Sequence, residues 1–347
     1  MNTDFLREYI GCIFFSLLIC LLLAGCEQTG KMEIVTLDGT TMGTTYSVQL
    51  VKKHDATIED FLSVEIKDIL NSVDSVMSTW RDDSELSRIN NKPSGQWISV
   101  SADLLFILKM ALSISDKTNG AFDVTVDPLV ELWGFSSNEP ITTIPDEQSI
   151  NDRMQQVGYN NLMIDVQRGA IKKKIPIRVN LSAIAKGFAV DKIAEYLNKQ
   201  GFSAYLIEVG GELRFKGNKP DGVGWKVAIE TPIAGNSQPY RVIGVTNNAI
   251  ATSGDYRNFY EIQGRHYSHT IDPVTGHPVT HNLASVTIID KNTAYADALA
   301  TALMVMGFER GYDFCQLNNI PAYFIIRNDG RFISKYTNSM KKYFLDG

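Results

Sequence analysis

The sequence predicts an α+β fold, with mixed, largely antiparallel sheets and flanking helices. Short runs of alternating apolar residues follow one another with only turn residues between them, which favours antiparallel pairing over a βαβ array. Other segments place apolar residues every three or four positions, which is typical of helices with one buried face. With 44% hydrophobic and 21% charged residues, the chain of 347 residues has the balance of a globular protein with a substantial core.

Residues 1–25 are predicted to be a secretory signal. Their apolar stretch, residues 10–24, is shorter than the roughly 18 to 20 residues that a membrane-spanning helix needs. It ends in Leu23-Ala24-Gly25-Cys26, which resembles the lipobox of bacterial lipoproteins and implies cleavage before a lipidated Cys26. We therefore expect an exported protein that Cys26 anchors to the periplasmic face of a membrane. Residues 26–40 are predicted to be a tether, and residues 41–347 the functional domain.

The remaining cysteines agree with this interpretation. Cys12 and Cys20 lie in the predicted signal, so Cys315 would be the single free cysteine of the mature chain. No intrachain disulfide is then possible, and stability must come from a packed core.

The net charge of −6 and the pI near 5.5 argue against a nucleic-acid partner, because such partners are bound through clustered Lys and Arg. The longest basic run is residues 172–174. We predict that it forms a solvated hairpin tip between strands at 162–166 and 175–179.

The secondary structure is predicted in chain order from these patterns. Alternation predicts a first strand at 45–50, and an amphipathic helix follows at 58–77. Ser101 is predicted to cap a second helix that closes near Gly120. A third helix is predicted at 185–200, and a fourth from Asn292 to residue 306. Further strands are predicted at 204–209, 212–216, 225–229, 241–245, 259–262, 285–289 and 322–326, and a hinge at 140–145.

The common phosphate-binding loops are missing from the sequence. There is no G-x-x-x-x-G-K-[ST] motif, and Gly210-Gly211 lacks the later glycine of G-x-G-x-x-G, so it is interpreted as a tight strand connection. Polar residues instead concentrate in short blocks beside helices and strands. These blocks are residues 40–45, 77–84, 120–128, 179–187 and 252–257, the last continued by 266–278, Asp297 and Thr301.

Each block admits a ligand-binding and a structural interpretation. Backbone amides around Gly43 could approach a phosphate or a ring, or could simply turn the chain. Trp80 could stack on a ligand or plug a helix end, and Phe122 alone would be a core residue. Lys186 lies in the first turn of a helix, where its charge opposes the helix dipole, which suggests a role with an anionic ligand. Taken alone, a solvated lysine is the simpler interpretation of this residue.

The last block could hold either of two kinds of metal. The histidines between 266 and 281 could imitate a zinc site, although no cysteine joins them and prolines interrupt their spacing. Asp297 and Thr301 are four residues apart, so their oxygens point the same way from one helix. Carboxylate and hydroxyl oxygens suit Mg²⁺, which binds through few protein ligands together with substrate phosphates.

Taken in order, these blocks resemble the ApbE family of FAD:protein FMN transferases, from Thr41-Met42-Gly43-Thr44 to Ala296-Asp297-Ala298-Leu299-Ala300-Thr301. The resemblance implies an ApbE-like fold, FAD as substrate, Mg²⁺ as cofactor and transfer of FMN to a Thr or Ser hydroxyl of a target flavoprotein. Subunits of quinone-reductase-type electron-transport complexes are the implied partners, and the lipid anchor implies a membrane.

The resemblance also assigns individual residues. Those at positions that line FAD are Met42, Trp80, Ala121, Phe122, Asp123, Asn180, Lys186 and Ile271. Those at metal positions are Asp297, Thr301 and the carbonyl of Ala183. Two residues depart from the family pattern, because Asn180 stands where many members have Asp and Ala300 stands where some have a second metal-binding Asp.

We expect His269 to act as a base or phosphate contact, because its ordinary pKa lies near 6.5 and it falls in the densest block. A structural hydrogen-bonding role is the alternative for this histidine. For the whole chain, the alternatives are an FAD pyrophosphatase, in which water replaces the target hydroxyl, and a non-catalytic FAD carrier.

Overall fold

A computed structural model describes residues 32–53, 56–136, 143–235, 238–256, 259–262 and 265–345. The predicted signal, Cys26 and the first part of the predicted tether lie outside these residues, as does part of the predicted hinge at 140–145. In the described part of the chain, helices and antiparallel sheets are mixed, which confirms the predicted α+β class.

The strands are β1 (Met32–Thr41), β2 (Thr44–Lys53), β3 (Trp97–Ser99), β4 (Leu162–Asp165), β5 (Ala170–Lys173), β6 (Tyr205–Val209), β7 (Glu212–Lys216), β8 (Trp225–Glu230), β9 (Pro239–Val245), β10 (Ala249–Gly254), β11 (Phe259–Ile262), β12 (Arg265–Ser268), β13 (Leu283–Asp290), β14 (Ala322–Asn328) and β15 (Arg331–Tyr336). The α-helices are α1 (Ala56–Met77), α2 (Glu85–Asn90), α3 (Ala102–Lys117), α4 (Asp127–Leu132), α5 (Glu147–Met154), α6 (Ala185–Lys199) and α7 (Thr293–Leu317). Two short 3₁₀ helices occupy Tyr159–Asn161 and Asn338–Tyr343.

The central element is an eight-stranded sheet with the order β1-β2-β6-β7-β10-β13-β14-β15, in which every neighbouring pair is antiparallel. Both faces of the sheet are covered. Phe324 and Ile326 of β14 point to the core under α1, α6 and α7, whereas Tyr323 and Ile325 point to a second core under β8, β9 and the last 3₁₀ helix. Because both faces of β14 are buried, its sequence is an almost continuous run of apolar residues and does not alternate between apolar and polar residues.

The predicted N-cap at Ser101 is confirmed, and Asn292, predicted as the first residue of the fourth helix, is also an N-cap. Ser101 Oγ accepts a hydrogen bond from Leu104 N at 3.3 Å, and Asn292 Oδ1 accepts one from Tyr295 N at 2.7 Å. Helix α7 continues past the predicted end at residue 306, but Gly307 has φ 75° and interrupts it there. Within the described residues, none of the helices combines the length and apolar character that crossing a membrane requires.

Part of the predicted tether is a strand. Residues 32–40 belong to β1, which pairs with β2 along its whole length, from Met32 opposite Lys53 to Thr41 opposite Thr44. Leu37 of β1 is buried in the main core. Only residues outside the described ranges therefore remain for a tether, and β1 was missed because it is an edge strand with few buried positions.

The predicted hairpin tip at residues 172–174 is wrong. Strand β5 extends to Lys173, and the turn of this hairpin precedes β5 instead. The Lys173 side chain is buried, and its Nζ donates hydrogen bonds to the carbonyls of Ile89 and Asn90 at 3.0 and 2.9 Å. The ammonium therefore satisfies carbonyl groups at the end of α2, and burial lowers the pKa of this lysine.

Candidate functional site

A cleft of about 1450 Å³ is lined by strands of the large sheet, by β8, by the starts of α6 and α7, and by α4 and β11. This volume exceeds the roughly 300 to 1000 Å³ that holds most drug-sized ligands, so a dinucleotide could be accommodated. The cleft is lined by residues from every polar block that the sequence singled out.

All but one of the residues that were predicted to bind FAD or metal, or to act in catalysis, line the cleft. Those that line it are Trp80, Ala121, Phe122, Asp123, Asn180, Ala183, Lys186, His269, Ile271, Asp297 and Thr301. Met42 lies at the β1–β2 turn, with φ 48°, and packs against the main core. Its neighbours Thr44 and Thr45 line the cleft, so this block reaches the cleft through them.

The floor of the cleft is held by contacts between α6 and the start of α7. Asp191 of α6 accepts hydrogen bonds from Thr293 N at 3.0 Å, from Thr293 Oγ1 at 2.8 Å and from Ala294 N at 2.9 Å. Arg214 of β7 pairs with the same carboxylate at 2.6 Å. These bonds satisfy free amides in the first turn of α7 and fix that helix end against α6.

Asp297 and Thr301 lie one turn apart on the part of α7 that faces the cleft. Asp297 is buried, and its Oδ2 accepts a hydrogen bond from Gly187 N at 3.0 Å. Burial raises the pKa of Asp297, while the Lys186 ammonium and the Gly187 amide oppose that rise. Thr301 Oγ1 lies 3.3 Å from Ser253 Oγ at the end of β10.

Lys186 joins this group through Glu212, the first residue of β7. Lys186 Nζ lies 3.0 Å from Glu212 Oε1, and the Glu212 side chain is buried. Burial, and then the nearby Asp297 carboxylate, raise the pKa of Glu212, and Lys186 lowers it in part. The cleft floor therefore contains two buried carboxylates and one ammonium that pairs with one of them.

A second polar wall forms around Asn180. Its Nδ2 donates to Asp127 Oδ1 at 2.7 Å, and its Oδ1 accepts from Ser182 N at 2.9 Å. Arg178 donates to the other oxygen of Asp127 at 3.1 Å. Because Asn180 donates to an acid, an Asp at this position would face Asp127 with a like charge. Asn180 is therefore compatible with its neighbour Asp127, although many family members have Asp at this position.

Asp123 shapes the loop between α3 and α4. Its Oδ1 accepts hydrogen bonds from Thr125 N at 2.7 Å and Thr125 Oγ1 at 2.6 Å, and its Oδ2 accepts one from Tyr159 N at 2.8 Å. Burial raises the pKa of Asp123, and these hydrogen bonds oppose that rise. Both oxygens are thus engaged by the chain, so this carboxylate fixes the loop that carries the buried Ala121 and Phe122.

Part of the cleft lining is aromatic. Phe135 stacks on Tyr260 with ring centroids 4.6 Å apart, and the His269 ring meets the edge of Phe135 at 6.3 Å. Ile271 is buried beneath this wall, in a small core that includes Trp133. Trp80 also lines the cleft and is 73% exposed, so its ring is accessible to a flat ligand and does not plug the helix end.

The three histidines whose side chains are described lie in different surroundings. His269 lines the cleft, His277 Nε2 lies 3.6 Å from Glu147 Oε1, and His281 Nε2 lies 2.6 Å from the Met304 carbonyl. Among the described side chains, no three His, Cys, Asp or Glu residues are grouped closely enough to hold a metal ion. This dispersal counts against the zinc interpretation for these three histidines.

Glu212 and the Phe135–Tyr260 pair are site features that the sequence analysis missed. Glu212 follows Gly210-Gly211, which forms the predicted tight connection, here between β6 and β7. The available signal in the sequence was that Glu212 is an acidic residue at the first position of a predicted strand. Phe135 and Tyr260 are far apart in sequence, and only the fold brings their rings together.

Comparisons with known proteins show the family to which the chain belongs. The model of the ApbE family matches residues 42–324. A protein of Vibrio cholerae serotype O1 named FAD:protein FMN transferase is 44% identical over 326 residues, which cover 94% of this chain and 96% of that protein. The solved structure of the flavin transferase ApbE from Vibrio cholerae is 42% identical, has a TM-score of 0.82, and covers 90% of this chain and 100% of its own. The apo crystal structure of the Pseudomonas stutzeri flavinyl transferase ApbE is 35% identical, has a TM-score of 0.84, and covers 92% and 99%.

Proposed function

The chain belongs to the ApbE family and is an FAD:protein FMN transferase, and on that premise we propose that it performs a Mg²⁺-dependent transfer with FAD held in the cleft. The observation that carries the proposal is the convergence of five separate sequence blocks on one cleft whose floor holds the buried Asp297. The acceptor is a Thr or Ser hydroxyl of a target flavoprotein, and subunits of quinone-reductase-type complexes are our candidates.

The residues present fit Mg²⁺. Asp297 offers a buried carboxylate, Thr301 a hydroxyl on the same helix face, and Ala183 a backbone carbonyl in the cleft wall. These are hard oxygen donors, few in number, which is the pattern for an ion that also binds substrate phosphates. When bound there, Mg²⁺ would supply neutralisation of charge on the diphosphate of FAD.

The chain's own residues would bind and orient the reactants. Lys186, in the first turn of α6 and on the cleft lining, is placed to attract the diphosphate through its positive charge. Trp80 and the Phe135–Tyr260 wall offer rings against which a flavin or an adenine can stack. Such positioning supplies much of the rate enhancement in phosphoryl transfer.

The transfer forms one bond and breaks one. The acceptor hydroxyl oxygen bonds to the phosphorus of the FMN half, and the bond from that phosphorus to the bridging oxygen breaks. AMP leaves with the bridging oxygen. The hydroxyl proton passes to His269, whose imidazole lies in the cleft wall and can accept a proton.

His269→Ala is expected to lower the rate of FMN transfer by roughly 100-fold, the lower end of the usual effect of a general base. The rate is measured from the flavin fluorescence of a denatured acceptor protein, in the presence of FAD and Mg²⁺. His277→Ala is the matched control, because His277 contacts Trp133 and Glu147 outside the cleft. Transfer by His269→Ala at the wild-type rate would exclude the proton-accepting role, and AMP released without acceptor labelling would favour a pyrophosphatase.

We also propose that the protein is exported and anchored by lipid on Cys26, which the lipobox-like residues 23–26 support. Cys26→Ser is expected to move the chain from the membrane fraction to the soluble periplasmic fraction or to leave it unprocessed. Cell fractionation followed by mass spectrometry of the N-terminus measures both outcomes. Cys315→Ser is the control, since Cys315 is buried in α7. Unchanged processing and membrane association of Cys26→Ser would contradict the anchor.

A further inference from the structure

We propose that Glu212 supplies a second protein carboxylate to the cation held by Asp297 and Thr301, as a ligand or as the acceptor for a metal-bound water. This inference rests on the proposed function, because it assumes that Mg²⁺ binds at Asp297. It assigns a role to a residue on the central sheet, whereas the other proposed metal ligands lie on α7 and in the loop before α6.

The first observation is an unsatisfied oxygen. Glu212 is only 4% exposed, and its Oε1 is engaged by Lys186. Its Oε2 is buried and has no hydrogen-bond partner among the described residues. A buried acceptor without a partner costs about 1 to 3 kcal/mol, and more when it is charged, so native proteins rarely retain one without a ligand, water or ion to satisfy it.

The second observation is the balance of charge. Glu212 and Asp297 are both buried on the cleft lining, and the Lys186 ammonium lies 3.0 Å from Glu212 Oε1. One ammonium cannot neutralise two carboxylates. A divalent cation between them and an anionic substrate would balance the second charge, which is how buried acids are usually retained.

The third observation concerns what α7 provides. Ala300, between Asp297 and Thr301, is fully buried and carries no donor atom. This segment of α7 therefore supplies a single carboxylate. Glu212 is linked to Asp297 through the neighbouring residues Lys186 and Gly187, and it supplies an additional acid from β7.

The test measures metal binding without FAD and without turnover. The full-length chain, purified in detergent, is titrated with Mn²⁺ as the probe, and free Mn²⁺ is followed by electron paramagnetic resonance. Glu212→Gln is expected to weaken Mn²⁺ binding by roughly 10- to 100-fold, the usual effect of removing a group that supports a metal site. Glu131→Gln makes the same chemical change at an exposed position of the same cleft and is expected to keep the wild-type Kd.

Three further results decide the inference. Glu212→Gln should keep the wild-type melting temperature in the absence of metal, because Gln preserves the shape of the side chain. Wild-type Mn²⁺ affinity in Glu212→Gln, with binding lost in Asp297→Asn, would overturn the role of Glu212 and leave the proposed function intact. Absence of Mn²⁺ binding by the wild-type chain would overturn the role of Glu212, and FMN transfer that does not require Mg²⁺ would overturn the proposed function as well.

Discussion

Asp297→Asn is expected to reduce FMN transfer by about 100-fold or more and to abolish Mn²⁺ binding. Asn keeps the shape of the side chain and an oxygen that can accept the hydrogen bond from Gly187 N, so the loss is confined to the negative charge. Stabilisation of phosphate charge by a metal is worth several kcal/mol, and each 1.36 kcal/mol is about tenfold in rate. Transfer is measured by flavin fluorescence of the acceptor, and binding by the Mn²⁺ titration.

The same variant should not lose stability without metal. Burial raises the pKa of Asp297 in the folded chain above its unfolded value, so ionisation at neutral pH opposes folding. Removing that charge is therefore expected to leave the metal-free melting temperature unchanged or higher. Mg²⁺ should raise the melting temperature of the wild type and not that of Asp297→Asn.

Asp313→Asn is the matched control for this prediction. Asp313 lies on the same helix beyond the interruption at Gly307, and its side chain is exposed. We expect wild-type transfer and wild-type Mn²⁺ affinity from this control. If Asp297→Asn retained both properties as well, the cation site would have to lie elsewhere in the cleft.

The sequence predicts the elements whose signals are local. The cap at Ser101 could be predicted because an N-cap depends on one side chain and the amides two or three residues later. Strand β7 was predicted with its observed bounds, because its turn residues and alternation lie within a few positions.

The errors arise where distant contacts decide the outcome. Lys173 is polar and was expected at a solvated tip, but the carbonyls that it satisfies belong to α2, more than eighty residues earlier. Most site residues could be assigned to one site because the ordered motifs of this chain resemble those of the ApbE family, although no distances between side chains were known. Glu212 lacked such a motif, and its importance emerges only when β7, α6 and α7 are seen in contact.

Gly187→Ala is expected to disrupt both the fold and the cation site, although Ala usually stabilises a helix. A Cβ on Gly187 would lie 2.5 Å from the Thr293 carbonyl oxygen and 2.7 Å from Ala294 Cα, and both are backbone atoms of α7. The two helices would have to separate, which typically costs about 1 to 3 kcal/mol and occasionally more. The free energy of unfolding is measured by urea denaturation without metal.

Separation of α6 from α7 would also affect function, because Gly187 N donates to the Asp297 carboxylate and Lys186 precedes it. We therefore expect Gly187→Ala to lose Mn²⁺ affinity and FMN transfer even in the fraction that remains folded. Gly224→Ala is the matched control, since its Cβ would have Thr246 Oγ1 at 3.6 Å as its nearest neighbour, an ordinary contact. Equal stability and equal Mn²⁺ affinity in both variants would show that close approach of the two helix ends does not set the geometry at Asp297.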